Sequence, residues 1–396
     1  MKTLRFNLAV AALLTALAAI PGAGWAQTKP RARDLGVPFD GTPGPLDAIT
    51  DVRGVEVGHT TLITGSGKLE VGQGPVRTGV TAILPRGKSP AGQVFAGWYS
   101  LNGNGEMTGT TWVEESGMLQ GPVMITNTHS VGVVRDAVIK WRLKLAPPED
   151  TGLWWALPVV AETYDGYLND VNGFHVTTQD AIHALDSAQT GPVAEGSVGG
   201  GTGMICYEFK GGIGTASRQL PAAMGGFTVG VLVQCNCGGR EQLRIAGVPV
   251  GREIAQDKVW GGLRPEPDAE RGSIIIVVAT DAPLLPHQLK RLARRAAMGL
   301  ARTGSTSGNG SGDIFIAFST ANASVAKPKG ISTVQMMAND DMSRIFSATV
   351  EATEEAIVNA LVAAQTMTGA DGHTAIALPH DRLRELLKKY NRLVEK

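Results

Sequence analysis

A glycine–serine pair at the start of an apolar run is the part of this sequence best suited to nucleophilic chemistry. Ser273 follows Gly272 and precedes the six apolar residues 274–279, a pattern typical of a strand buried on both faces. A hydroxyl at the end of such a strand is held rigidly, as a nucleophile requires. If the chain is cut before Ser273, the new α-amine has an ordinary pKa of about 8 and can take the hydroxyl proton without a histidine. The pattern therefore predicts a serine enzyme that makes its own nucleophile by attack of this hydroxyl on the carbonyl of Gly272.

A second polar segment lies further along the chain, where the glycine-rich residues 307–312 lead into a strand predicted over 313–320. Its Ser311 has glycines on both sides, but a strand follows it rather than the helix that follows the nucleophile elbow of α/β-hydrolases. The other glycine-dense segment, 196–203, lacks the lysine of a phosphate-binding loop and is better explained as a tight turn near an active site. Because Gly-Ser pairs before strands are common, spacing alone leaves open that Ser273 is an ordinary strand residue.

The histidines and cysteines do not point to a metal site or to cysteine catalysis. None of the seven histidines forms a His-x3-His pair or lies in a carboxylate-rich ligand motif, so no metal or other cofactor is predicted. A Ser-His-Asp triad with a distant histidine stays open. Cys235 and Cys237 lie two residues apart in a strand-like run, so they share a face but are unlikely partners for a disulfide. With Cys206 they are best interpreted as small buried apolar residues, and their odd number leaves at least one free thiol.

The N-terminus and the overall charge limit where the protein works and what it contacts. The chain has 396 residues and a formal net charge of zero, without the basic runs that a nucleic-acid partner requires. Residues 1–26 resemble a secretory signal peptide, with Lys2 and Arg5 before an apolar stretch, 8–20, and small residues before the cleavage point. No later segment is apolar enough to span a bilayer. We therefore predict a periplasmic or secreted protein that starts near Gln27 and has no membrane partner.

Apolar patterning indicates one large mixed domain over residues 27–396, with stacked sheets and helices outside them. Residues 28–43 are expected to form an extended arm, and residues 258–272 an exposed polar loop suited to cleavage. The strands are predicted over 80–84, 94–99, 123–126, 225–236 and 313–320. The helices are predicted over 133–143, 178–188, 283–302, 340–368 and 381–395.

Several long motifs occur in the order found in one hydrolase family. They include Asn102-Gly-Asn-Gly-Glu-Met-Thr-Gly109 and residues 33–44, 51–59, 125–132, 168–175, 199–204, 233–236 and 279–287. Over essentially all of the mature length, the chain resembles the DmpA-type aminopeptidases, which include L-aminopeptidase/D-esterases and bacterial β-aminopeptidases. The resemblance implies an α+β fold, namely the four-layer α-β-β-α sandwich of a DmpA-like N-terminal nucleophile hydrolase. It also implies self-cleavage into residues 27–272 and 273–396, and assembly of the cleaved units into a homo-oligomer, a tetramer.

The same resemblance implies roles for residues around the nucleophile. Ser273 matches the nucleophile after the scissile bond, and Ser311 and Asp313 match the Ser-x-acid pair of the glycine-rich loop. Ser311 is then expected to hydrogen-bond the hydroxyl or amine of Ser273. Asp313 is expected to orient Ser311 and to hold the α-ammonium side of the site.

Three further residues match the substrate side of the family's site. Asn236 and Tyr164 match neutral donors for a developing oxyanion, and Glu162 matches a counter-ion for the free amino group of the substrate. Cys235 and Cys237, which flank Asn236, depart from the residues expected there. The implied activity is removal of one N-terminal residue, a β-amino acid such as β-alanyl, from short peptides, amides or esters. The alternatives are action on L-α-amino or D-alanyl substrates, acyl transfer to an amine, and a periplasmic binding protein without chemistry.

Overall fold

The structure is a computed structural model that describes residues 29–89, 92–145, 155–259, 272–326 and 330–395. The predicted signal sequence, the start of the mature chain and residues 260–271 of the predicted cleavable loop lie outside the described residues.

Strands and helices follow one another along the chain. The strands are β1 Glu56–Thr64, β2 Val76–Lys88, β3 Val94–Ser100, β4 Met118–Leu119, β5 Val123–Asn127, β6 Val159–Thr163, β7 Ile205–Cys206, β8 Phe209–Lys210, β9 Gly212–Gln219, β10 Thr228–Asn236, β11 Ser273–Thr280, β12 Ile314–Ser319, β13 Met367–Thr368 and β14 Thr374–Ala375. The helices are α1 Thr110–Ser116, α2 Val131–Leu145, α3 Thr178–Asp186, α4 Val250–Glu253, α5 Pro286–Arg302, α6 Met342–Ala363 and α7 His380–Lys389.

Two sheets lie face to face between layers of helices. One has the strand order β1-β2-β5-β6, and the other has the order β4-β3-β12-β11-β10-β9. Helices α2 and α3 pack on the outer face of the first sheet, and α5 and α6 pack on the outer face of the second. This order of layers, α-β-β-α, confirms the fold class expected from the sequence.

The apolar run of strand β11 does not alternate with polar residues, because both faces of the strand are buried. Ile274 and Ile276 face the helices α5 and α6, whereas Ile275 and Val277 enter the core between the two sheets. Both faces of the strand are therefore covered, and all eight of its residues are buried. Ser273 has the same parity as Ile275, which places it on the inner face at the end of the strand.

Most predicted elements are present, and two differ in an informative way. The helix predicted over 340–368 ends at Ala363, and the chain continues through Ala364 in an extended conformation into the hairpin β13–β14. The predicted extended arm contains a short 3-10 helix, Ala32–Leu35, that packs into the core. Its arginines are the reason that the arm docks onto the folded domain.

Arg33 and Arg218 share one buried carboxylate, that of Glu355 on α6. Arg33 forms two hydrogen bonds of 2.7 Å to this carboxylate, and Arg218 Nη2 lies 2.7 Å from the same group. Arg31 forms ion pairs with Asp47 at 3.1 Å and with Glu195 at 2.9 Å. The N-terminal arm is thereby connected to β9, which carries Arg218, and to α6 by ion pairs that are largely removed from water.

Candidate active site

Ser273 lies directly opposite Asn236 at the end of the central strands of the larger sheet. β10 and β11 are antiparallel, and their register pairs these two residues. Side chains that are paired across antiparallel strands point to the same face with Cβ atoms about 5 Å apart. Each residue is only 7% exposed. The sheet thus places a hydroxyl and a carboxamide side by side on its inner face.

Gly272 is required here by close packing. A Cβ atom on Gly272 would lie 2.1 Å from the carbonyl oxygen of Asn236, which is far inside van der Waals contact. Only glycine lets the chain before Ser273 lie against the end of β10.

The glycine-rich loop binds the start of β11 through its backbone. The amide of Gly312 donates to Ser273 Oγ at 3.1 Å. The carboxylate of Asp313 accepts a hydrogen bond of 3.1 Å from the amide of Ile274. The loop therefore holds the hydroxyl and the backbone that follows it.

Ser311 does not bond to Ser273 as the resemblance implied. Its side chain is fully buried, and its Oγ has no hydrogen-bond partner among the described residues. The contact with the Ser273 hydroxyl comes from the next residue, Gly312, because the chain turns there into β12. Buried hydroxyls are rarely left without a partner, so Ser311 Oγ has an unused capacity to accept a hydrogen bond.

Two asparagines from the Asn-Gly-Asn-Gly motif hold this loop in place. Asn102 donates to the carbonyls of Ser307 and Gly308, and its Oδ1 accepts from the amide of Asp313 at 2.7 Å. Asn104 donates to the same loop twice, from its side-chain amide to the carbonyl of Gly310 and from its backbone amide to the carbonyl of Ser311. The motif was used for the resemblance alone, and its physical role in the site was missed.

The carboxamide of Asn236 has a fixed orientation. Its Oδ1 accepts a hydrogen bond of 2.9 Å from the amide of Ile205, on the hairpin β7–β8. The two residues of that turn, Tyr207 and Glu208, both have positive φ, and the buried Arg240 donates to both of their carbonyls. With the oxygen held in this way, the NH2 group of Asn236 is the end that is available to a ligand.

Glu162 lies at the end of β6 and is not a surface charge, because it is only 4% exposed. Its carboxylate accepts hydrogen bonds from the Glu106 amide, at 3.0 Å, and from the Thr128 hydroxyl. Burial raises the pKa of this carboxyl, although both hydrogen bonds act in the opposite direction. The charge of His129 also lowers this pKa, but neither hydrogen bond comes from a cation, so the buried carboxylate favours binding of a cationic group.

Tyr164 is 53% exposed, and its ring folds over Gly166, where a Cβ atom would lie 2.3 Å from the tyrosine hydroxyl. Burial of the phenol, together with the charge of Asp165, raises the pKa of Tyr164. The hydroxyl therefore stays protonated and remains a hydrogen-bond donor at neutral pH.

One cavity of about 650 Å³ brings most of the predicted residues together. Its wall includes Glu162, Tyr164, Asn236, Gly272 and Ser273, whereas Ser311 and Asp313 lie buried behind it. It also includes residues that the sequence analysis missed, among them Tyr167, Glu208 and His373. These three lie in segments without a recognisable catalytic motif, and His373 is brought in by the hairpin β13–β14.

The three cysteines are buried thiols, as the sequence indicated. Cys206 Sγ lies 3.7 Å from Cys237 Sγ, so the nearest thiol to Cys237 comes from the hairpin and not from Cys235. Burial and the neighbouring Cys206 raise the pKa of Cys235, which keeps this thiol neutral. All three cysteines belong to the apolar core between the larger sheet and its helices.

Within the described ranges, no three His, Cys, Asp or Glu side chains are grouped so that they could hold a metal ion. Over the same residues, no helix is both long enough and apolar enough to cross a membrane.

The layers and the position of the serine define a class of protein. Two face-to-face sheets between helices, with a nucleophile candidate at the start of a central strand, form the DmpA-like variant of the N-terminal nucleophile hydrolase fold. The sequence profile of peptidase family S58 matches residues 47–375. The chain belongs to peptidase family S58.

Similar proteins cover nearly the whole chain. The beta-peptidyl aminopeptidase BapA of Sphingosinicella microcystinivorans is 57% identical over 407 aligned residues, which cover 99% of each chain. The structure of the L-aminopeptidase D-Ala-esterase/amidase of Ochrobactrum anthropi superimposes with a TM-score of 0.85 and 49% identity, and covers 92% of this chain and 100% of that one. The structure of a beta-aminopeptidase of a Burkholderia species superimposes with a TM-score of 0.80 and 49% identity. The match covers 91% of this chain and 98% of that one.

Proposed function

We propose that this protein is a self-processing serine aminopeptidase that removes an N-terminal β-amino acid from short peptides, amides or esters. The observation that carries the proposal is that Ser273, Asn236 and Glu162 share one cavity. It supplies a nucleophile, a neutral donor for an oxyanion and an anion for the substrate's amino group. The 57% identity to a beta-peptidyl aminopeptidase supports the substrate class.

Maturation begins with attack of Ser273 Oγ on the carbonyl carbon of Gly272. The peptide bond is exchanged for an ester between these residues, and the nitrogen of Ser273 takes up a proton. Water then hydrolyses the ester, which leaves a carboxylate on Gly272 and a free α-amine on Ser273. Ser311 Oγ, which is buried and has no partner among the described residues, is the group to which we assign a hydrogen bond from the new amine.

Turnover repeats this chemistry on a bound substrate. The α-amine takes the proton of Ser273 Oγ as the oxygen attacks the carbonyl of the substrate, and the NH2 group of Asn236 and the hydroxyl of Tyr164 stabilise the oxyanion. The proton passes to the leaving amine, which departs from an acyl-enzyme on Ser273. Water completes hydrolysis, whereas a competing amine would complete acyl transfer instead.

Glu162 accounts for action at the N-terminus. A carboxylate in a cavity wall pairs with the ammonium group of the first residue, whereas an acetylated or internal residue, whose nitrogen is neutral, leaves this carboxylate without a counter-ion. A β-amino acid has one more carbon between its ammonium group and its carbonyl than an α-amino acid. The separation of Glu162 from Ser273 therefore determines which of the two chain lengths is accepted.

The test compares matched p-nitroanilides of β-alanine, L-alanine, D-alanine and N-acetyl-β-alanine with purified protein. We expect the β-alanyl anilide to be cut fastest, the acetylated one to be nearly inert, and Ser273→Ala to cut none. Preference for the L- or D-alanyl anilide would establish the alternative, for which the 49% identity to an L-aminopeptidase D-Ala-esterase/amidase is the supporting observation. No cleavage of any anilide, together with tight substrate binding, would favour a binding protein.

Export is the remaining part of the proposal. We place the signal peptide at residues 1–26 and the mature enzyme, as one domain, in the periplasm or outside the cell. Fractionation of a Gram-negative host that expresses the full chain, with a cytoplasmic marker enzyme as control, should recover activity in the periplasm or the medium.

A further inference from the structure

Two separate sets of contacts lead away from Ser273 along the wall of the cavity, here called its two sides, and only one of them reaches the proposed amine anchor. On the first side, Gly312 contacts Ser273 Oγ and packs tightly against Gly105. A Cβ atom on Gly105 would lie 3.4 Å from Glu162 Oε1. A short path of contacts thus leads from the nucleophile to Glu162, and the acyl part of the substrate, which carries the ammonium group, belongs on this side.

The second side begins at Asn236. Its carboxamide is held by Ile205, which packs against a small buried cluster formed by Leu168, Val259 and Ala375. Tyr167 packs against the same cluster. This side of the cavity is therefore built from elements that do not contribute to the contacts of Glu162.

Tyr167 and His373 form a stacked pair of rings on this second side, and the outer ring face of the pair, here called the Tyr167–His373 surface, is flat. Their rings are stacked with centroids 4.3 Å apart and planes within 5° of each other, and both residues line the cavity. The Tyr167 hydroxyl donates to the carbonyl of Val259 at 2.8 Å, and His373 Nδ1 donates to the carbonyl of Tyr167 at 3.0 Å. Because both rings are held by hydrogen bonds to the backbone, the surface exists before a ligand arrives.

We propose that the Tyr167–His373 surface binds the leaving group of the substrate and selects planar, aromatic leaving groups. The inference rests on the proposed function, since Glu162 must fix the acyl side. A cavity of about 650 Å³ is much larger than one β-amino acid requires, so space remains for the residue after the scissile bond. The face of an aromatic ring packs best against another flat apolar group, and the leaving group expected here is of that kind.

The expected gain is modest and measurable. Offset or edge contacts between aromatic rings favour a complex by roughly 2- to 12-fold beyond the effect of buried area. The appropriate quantity is kcat/KM, because it covers every step through departure of the leaving group. An anchor on the leaving group should affect this ratio and leave hydrolysis of the acyl-enzyme unchanged.

The experiment measures kcat/KM for three β-alanyl dipeptides whose second residue is phenylalanine, cyclohexylalanine or alanine. Phenylalanine and cyclohexylalanine are similar in size, but only the first is flat. In the wild-type enzyme, the phenylalanine peptide should exceed the cyclohexylalanine peptide by roughly 2- to 12-fold. His373→Ser should bring this ratio close to one, His373→Phe should restore it, and the alanine peptide should change little throughout.

His287→Ser is the matched control, because His287 is an exposed histidine on α5 that does not line the cavity. It should leave every ratio unchanged. Equal rates for the phenylalanine and cyclohexylalanine peptides in the wild type would overturn the proposal without any variant. The proposal would also be overturned if the ratio of kcat/KM between the phenylalanine and cyclohexylalanine peptides were unchanged in His373→Ser. If the wild type cuts all three peptides at one rate, only the surface is refuted, whereas failure to cut any of them refutes the proposed function as well.

Discussion

Ser273 is surrounded by groups that each have one task. Gly312 donates to its hydroxyl, Asn236 faces it across the sheet, and Asp313 holds the amide of the next residue. Glu162 lies in the same cavity but contacts different elements. This separation means that loss of the amine anchor and loss of the nucleophile should have different consequences, which kinetics can tell apart.

The pH dependence of kcat/KM should report two of these groups. With the α-amine of Ser273 as the base, activity on a β-alanyl anilide should rise with pH through an apparent pKa of about 8. Burial raises the pKa of Glu162, so at lower pH this carboxylate becomes protonated earlier than an ordinary one and substrate binding is lost as well. In a plot of log kcat/KM against pH, the slope of the wild type should therefore become steeper at low pH. Glu162→Gln should be less active and should keep a single slope over the same range. An identical steepening in this variant would mean that Glu162 is not the titrating anchor.

Ser311→Ala tests the unused hydroxyl behind the nucleophile. Removal of a buried hydroxyl without a partner should leave the thermal midpoint almost unchanged, because no hydrogen bond is lost in the described structure. Both self-cleavage and kcat should nevertheless fall. In self-cleavage the variant cannot accept from the nitrogen of Ser273 as that nitrogen becomes an amine, and in turnover it cannot accept from the α-amine already formed. If processing and turnover stay at wild-type rates, the role of Ser311 is only to fill space.

At the scale of elements, the site lies where two loops and a hairpin contact the end of the central strands β10 and β11. The loop of residues 307–313 is held by Asn102 and Asn104, and the hairpin β7–β8 is held by Arg240. These holding residues form no bond to Ser273, yet they decide where Gly312 and Asn236 lie. They are positioning residues.

Asn102→Ala should therefore lower kcat strongly while the protein remains folded. The variant loses three hydrogen bonds to the loop, and a displacement of about 1 Å at a reacting group can cost on the order of 100-fold in rate. Asn322→Ala is the control, because Asn322 also bridges two loop segments but does not line the cavity. The measurement is steady-state kinetics of both variants. An equal loss of kcat in the two would mean that Asn102 is not a positioning residue.

The elements also show what sequence patterns can and cannot predict. The buried run after Ser273 predicted a central strand, and the Thr-capped helix near residue 178 is present as α3, because both depend on local apolar periodicity. The end of α6 at Ala363 was missed because residues 364–368 contain no Gly or Pro to mark it. Tyr167 and His373 were missed for a different reason. Their contact joins positions 206 residues apart, and no local pattern carries that information.

At the scale of the whole molecule, the N-terminal arm is fastened to the enzyme by buried charges. Arg33 and Arg218 both depend on Glu355, whose side chain is fully buried. The arm begins just after the predicted signal peptide, so the mature chain retains it. Docking of the arm should therefore contribute to the stability of the mature protein.

Glu355→Gln should reduce the free energy of unfolding by up to about 3–5 kcal/mol, because it removes the nearest carboxylate from Arg33 and Arg218 and leaves Asp47 at 3.9 and 3.8 Å from them. Urea denaturation monitored by tryptophan fluorescence would measure the loss. Glu385→Gln provides the control, since Glu385 pairs with Arg382 on the exposed face of α7 and should contribute less than about 1 kcal/mol. Equal small losses in both variants would show that the arm is not held by this network.

Self-cleavage between Gly272 and Ser273 is the central claim for the whole molecule, since the proposed base exists only after that cut. Denaturing electrophoresis with N-terminal sequencing of purified wild-type protein tests it most directly, with Ser273→Ala as the reference. The account predicts two polypeptides, residues 27–272 and 273–396, the second beginning Ser-Ile-Ile-Ile, and one unprocessed inactive chain in the variant. A wild-type protein that is fully active as a single uncut chain would contradict it.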